Sequence, residues 1–167
     1  GPRSAQWSVG GGAYSSHDAA ARLSSEFGFD ADETTPARDN TLAGRRAGLG
    51  LDTQLRLGPV DVWGEYLRVR FEPRNAVPLG RFVSDGWYAQ GSSFVVPDRL
   101  QLVVRYETFD PNRSTAGTAT NTWLLGVNDY VRGNNLKLQL NYMRSDVEAL
   151  PRIQHKVIAR LQVMFST

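Results

Sequence analysis

Apolar side chains fall at every second position in four segments of this chain. Leu49, Leu51, Leu55 and Leu57 share one parity, and Asp52, Gln54 and Arg56 share the other. Leu100, Leu102, Val104 and Tyr106 interleave with Gln101, Arg105 and Glu107. Leu136, Leu138, Leu140 and Tyr142 interleave with Lys137, Gln139 and Asn141. Val157, Ala159, Leu161, Val163 and Phe165 interleave with Lys156, Arg160 and Gln162. Such alternation marks a strand with one oily and one wet face, and a run of about ten residues is what a tilted strand needs to cross a bilayer. The wet parity carries full charges, as the inner face of a transmembrane β-barrel does.

Extending the pattern predicts eight strands, at about 5–16, 46–57, 60–71, 86–96, 100–109, 121–131, 136–145 and 156–165. Gly58-Pro59, Pro97-Asp98-Arg99 and Arg132-Gly133-Asn134-Asn135 read as tight turns, built from residues that favour turn backbone angles. The stretches 17–45, 72–85, 110–120 and 146–155 read as long connections rich in Asp, Pro, Ser, Thr, Gly and Asn. Short and long connections alternate strictly. A soluble sandwich has no reason to sort its loops this way, whereas an outer-membrane barrel puts short turns on the periplasmic side and long loops outside. With strands running alternately up and down, Trp87, Tyr106, Trp123 and Tyr142 all lie on the apolar parity at the outer end. That is the place of an aromatic girdle, where the ring is buried and its polar atom stays wet.

The third strand breaks the pattern. Val62, Gly64 and Tyr66 suit lipid with Asp61 and Glu65 inside, yet Arg68 and Arg70 then fall on the lipid parity. Either a bulge after Tyr66 slips the parity, which is the reading preferred here, or the arginines stand above the membrane.

Composition narrows the class. The 167 residues suffice for one domain, 1–167, and there is no cysteine to form disulfides or thiol metal sites. Mean hydropathy is negative and no run approaches a membrane helix, but a barrel strand spends half its residues on polar side chains. Gly1-Pro2 has the look of a protease scar, so the chain reads as a mature or trimmed product. The formal net charge is +2, with basic residues spread singly along alternating strands, which argues against nucleic acid as a partner.

Catalytic chemistry finds no support, and the chain is read as a non-enzyme. His17 and His155 both fall at strand–loop junctions, so no Ser-His-Asp arrangement recommends itself. Asp30, Asp32 and Glu33 crowd the first long connection, but their spacing matches no EF-hand and they read as a solvated acidic loop. Gly10-Gly11-Gly12 sits inside a strand rather than before a helix, so it is no phosphate loop. Function then rests on the inward face. It offers Arg56, Arg105, Lys137, Lys156 and Arg160, with Arg68 if the bulge exists, against Asp52, Glu65, Glu107 and Asp129. In a wide barrel these charges line water and set ion preference, arginine and lysine favouring anions. In a narrow eight-stranded barrel they pair with one another and plug the lumen. Both uses stay open at this stage.

Several stretches carry a resemblance. Gly86-Trp-Tyr-Ala-Gln-Gly91, Pro97-Asp-Arg-Leu-Gln-Leu-Val-Val-Arg-Tyr-Glu107 with Phe109-Asp110-Pro111, Gly126-Val-Asn128, Leu136-Lys-Leu-Gln-Leu-Asn-Tyr142 and Ala159-Arg-Leu-Gln-Val-Met-Phe165 resemble the C-terminal part of phosphate-selective porins of the O/P type. The likeness spans about 46–165 and is strongest over 86–165. It implies an outer-membrane barrel of sixteen strands, commonly trimeric, that passes phosphate or other anions along a pore lined by arginine and lysine. Such barrels are more than twice this length, so the chain corresponds to the last eight strands, and most of the family's basic ladder lies upstream of it. Barrels of this kind end on an aromatic residue that marks them for assembly. Phe165 matches it, although Ser166 and Thr167 follow.

The expectation is therefore an all-β, antiparallel up-and-down transmembrane barrel of the bacterial outer membrane, eight strands from this chain. Passive diffusion of anions through all or part of a porin is the first function. A closed eight-stranded structural or loop-displaying barrel is the alternative. A soluble lipocalin-like binder comes third, disfavoured by the charged inner face. Expected partners are outer-membrane lipid, the barrel-assembly machinery, anions in the lumen and further copies of the chain, with no cofactor and no metal.

Overall fold

Every alternating segment forms a strand. The computed structural model describes residues 5–22, 41–74, 80–148 and 153–164. The strands are β1 (Gln6–Arg22), β2 (Thr41–Leu57), β3 (Val60–Pro73), β4 (Phe82–Val96), β5 (Leu100–Asp110), β6 (Thr120–Asn134), β7 (Leu136–Val147) and β8 (Ile153–Val163). They make one antiparallel sheet in the order β1-β2-β3-β4-β5-β6-β7-β8, each strand paired with its neighbours in sequence. At one end the strands are joined by 58–59, 97–99 and 135, at the other by 23–40, 74–81, 111–119 and 148–152. Gly58 in a short turn and Gly133 at the end of β6 take left-handed backbone angles (φ 59° and 55°), and Asp98 does so at φ 57°, a conformation its short polar side chain tolerates.

The strands outrun their predicted limits, mostly at the long-connection end. β1 and β2 continue as a hairpin in which His17 lies opposite Arg45 and Arg22 opposite Thr41. Backbone hydrogen bonds hold such an extension whatever its side chains, so an apolar parity is no guide to where it stops.

One register runs across the sheet: Asp52, Glu65, Tyr88, Glu107, Thr122, Ser145 and Gln154 stand directly opposite one another on β2 to β8. Shifts occur between Asp18 and Ala21 and between Phe94 and Val96. β3 has none. The bulge expected after Tyr66 is absent: Leu49 faces Arg68, Ala47 faces Arg70, and Arg68 faces Asp85 without a break. Arg68 and Arg70 therefore stay on the parity of Tyr66.

One further expectation changes. Among the described residues no ladder joins β8 to β1, so the eight strands form an open sheet with two free edges rather than a closed barrel. Nor do the described residues form a soluble core. Phe71 and Phe82, stacked at 4.6 Å, are the buried large apolar side chains among the described residues, while Trp7 is 73% and Val157 67% exposed. A single layer with one continuous apolar face and unpaired edges needs something to cover both.

Candidate functional site

The pairing sorts the side chains onto two faces. Asp52, Arg56, Glu65, Arg105, Glu107, Lys137, Lys156 and Arg160 share the polar face. Asp129 does not. It stands opposite Leu100 and Leu138, on the apolar parity, at the short-turn end, and makes a 3.5 Å ion pair with Arg99. Its acidic nature suggested an inward position, but the strand's odd residues all point the other way.

The polar face divides into two regions. Over β2 to β5 acids and bases are mixed, and two pairs form: Arg56 Nε lies 2.7 Å from Asp61 Oδ1, and Arg105 Nη2 lies 2.5 Å from Glu107 Oε2. The Arg105 guanidinium also covers the Tyr88 ring at 3.9 Å. At the free edge, Gly10 has no side chain, and the Asp52 carboxylate lies across the space a Cβ would fill. Gly48 likewise leaves room for the Tyr14 ring.

Over β6 to β8 the same face is basic. Lys137, Lys156 and Arg160 share it with amides and hydroxyls, and among the described residues of these three strands no carboxylate does. Lys137 Nζ sits 4.4 Å above the Tyr130 ring. Beside it runs a neutral network. Asn128 Nδ2 and Tyr130 OH both donate to Gln101 Oε1 at 3.0 Å, Gln101 Nε2 donates to Ser92 Oγ at 3.1 Å, and Gln139 Nε2 donates to Asn128 Oδ1 at 2.9 Å. Alternation puts Gln101 and Gln139 on the wet parity; that they bond across three ladders follows only from the register.

On the apolar face the rings form a stepped row. Trp87 and Tyr106 are 5.4 Å apart, and Tyr106 and Trp123 4.8 Å. Tyr106 OH donates to Asn121 Oδ1 at 3.1 Å, and Tyr66 OH reaches Asp85 Oδ2 at 3.4 Å, so both hydroxyls bond residues nearer the long connections. Tyr142 bonds His155 Nδ1 at 2.7 Å. His155 is thus inside β8, not at its junction, and His17 is inside β1. Trp7 Nε1 donates to Thr53 Oγ1 near the opposite end.

One connection is clamped to the sheet, which the sequence reading missed. Arg113 Nε pairs with Asp85 Oδ1 at 2.8 Å, Arg113 N donates to Val83 O at 2.9 Å, and Ser84 Oγ donates to Pro111 O. Thr118 Oγ1 donates to Asp110 Oδ1 at 2.7 Å and closes the loop on itself. Asp-Pro-Asn after a strand is the visible signal for such a turn. Asp30, Asp32, Glu33 and Phe165 lie outside the described residues.

A family model, Phosphate-selective porin O and P, matches residues 58–165. Comparisons with curated proteins and with solved structures give no match.

Proposed function

The chain belongs to the phosphate-selective porin O and P family, and on that footing we propose that it supplies eight strands of an outer-membrane barrel whose polar face borders a water-filled path for anions such as phosphate. The observation that carries this reading is the basic region of β6 to β8. Lys137, Lys156 and Arg160 stand there with no facing carboxylate on those strands, beside amides that offer a hydrated anion hydrogen bonds. A wall of one sign raises the local concentration of counter-ions and excludes ions of like charge. The apolar face faces lipid, and the free edges of β1 and β8 are completed by further strands, since irregular or unpaired backbone is not tolerated against hydrocarbon.

The test is ion preference. In planar bilayers, conducting assemblies containing this chain should pass anions over cations, and K137Q/K156Q/R160Q should move the reversal potential toward cations. A triple variant with unchanged anion preference sinks the reading. The alternative, a closed eight-stranded barrel without a pore, draws on the Arg56–Asp61 and Arg105–Glu107 pairs, in which four charged side chains of the polar face offset one another. It requires that no assembly of the chain conducts.

A further inference from the structure

Three arginines on the apolar face stand together. Just beyond Tyr66 and Leu49, toward the long connections, that face carries Arg68, Arg70 and Arg45 on the paired strands β2 and β3. All three are exposed. Arg68 and Arg70 have no hydrogen bond or ion pair among the described residues, and Arg45 Nε donates only to Ser15 Oγ, at 3.2 Å. The carboxylate opposite Arg68 is Asp85, which is 7% exposed and already engaged by Arg113 and Tyr66. Among the described residues Glu72, opposite Arg45, is the one other acid beside them, which leaves these described side chains a surplus of two positive charges. Ala47 separates Arg45 from Arg70 and leaves a notch of about 130 Å³ between the arginines and Glu72.

This patch faces away from the pore side, so it does not serve permeating ions. It is continuous with the apolar band beneath it and begins one step above the ring of Tyr66, at the depth where headgroups meet acyl chains. Arginine is the residue suited to phosphate, through its fork of N–H donors, and clustered bases beside a hydrophobic span attract anionic headgroups. We propose that Arg45, Arg68 and Arg70 bind the phosphate groups of a phosphorylated lipid in the leaflet on the long-connection side, whose acyl chains lie against Leu49 and Leu51. The assignment rests on the membrane reading proposed above.

The test uses the full chain in detergent, with a bis-phosphorylated, multi-acyl glucosamine disaccharide lipid and its dephosphorylated form, acyl chains unchanged. Native mass spectrometry should show retention of the phosphorylated lipid greater by roughly tenfold or more, a preference lost in R45Q/R68Q/R70Q. Inorganic phosphate at millimolar concentration should not displace it. Equal retention of the two lipids overturns the proposal without need of any variant, and so does displacement by inorganic phosphate, which would mark a site for soluble anions. Quenching of Trp87 and Trp123 by brominated lipid, in wild type and variant, reports insertion separately. Quenching without phosphate preference defeats this site alone. Absence of quenching defeats the membrane reading and the site with it.

Discussion

Single residues on this sheet are constrained by what the neighbouring strand lays over them. A Cβ at Gly44 would run into the backbone carbonyl of Glu72, whereas one at Gly12 would meet nothing. Gly44→Ala should therefore lower stability by about 1–3 kcal/mol, because backbone cannot move aside. Gly12→Ala should leave it unchanged or raise it by up to about 1 kcal/mol through a stiffer unfolded chain. Urea unfolding of the two variants in the same detergent checks the contrast, and equal effects would contradict the β2–β3 register. Arg105 is held by Glu107 and by the Tyr88 ring, with both charged side chains about a third exposed. Arg105→Met should cost on the order of 1 kcal/mol, and adding Glu107→Gln should recover part of it, since solvent screens the pair and the loss comes mainly from the carboxylate left alone. Most of the polar face was legible from parity alone. The errors arose where residue type overrode it: Asp129 was placed inward for its charge, and Arg68 and Arg70 prompted a bulge, although headgroup depth accommodates an arginine on the outer parity at little cost.

Strands were legible as far as they alternate. Where β1 and β2 rise past Ser16 and Arg46 the sequence loses its regular alternation, and the backbone ladder carries the hairpin on to Arg22 and Thr41. Nothing in hydrophobicity signals that continuation. The network around Gln101 was hidden for a related reason: three of its members come from β5, β6 and β7, and their meeting depends on pairing, not on local pattern. The unbroken register of β3 makes a direct prediction. Nitroxide labels at Leu51, Leu102, Leu138 and Leu161, and at Tyr66 in β3, should be relaxed by lipid-soluble oxygen in reconstituted protein. Labels at Arg68 and Arg70 should be more accessible to a water-soluble relaxant than those five, yet share their side of the sheet, with Val69 on the other. A reversal of side between Tyr66 and Arg68 would restore the bulge.

As a whole the molecule has two unsatisfied boundaries, an apolar face and a pair of bare strand edges. The face was readable in advance; the open edges were not, because strand count says nothing of closure until pairing is seen. An eight-stranded ring encloses only its own side chains, whereas sixteen strands leave a channel. The chain reconstituted as a confirmed monomer should accordingly be closed or nearly so. Conductance should appear only in species whose mass accommodates further strands, from a second copy or from a longer chain. Planar-bilayer recording paired with mass determination in the same detergent decides this, and stable anion-selective openings from a monomer would show the expected closure to be wrong.

The sheet order has a bearing on how such a molecule comes to exist at all. Because each strand pairs with its immediate neighbours in sequence, the hairpin is a self-contained module, joined to the rest by one ladder on either side. Growth can proceed one module at a time, with little loop-closure entropy to overcome at each addition. Duplicating or deleting a hairpin changes the width of the sheet by two strands and leaves every other ladder, parity and connection as it was. A lineage of such proteins can therefore tune the breadth of its sheet by copying gene segments, and the alternation of short and long links survives every step.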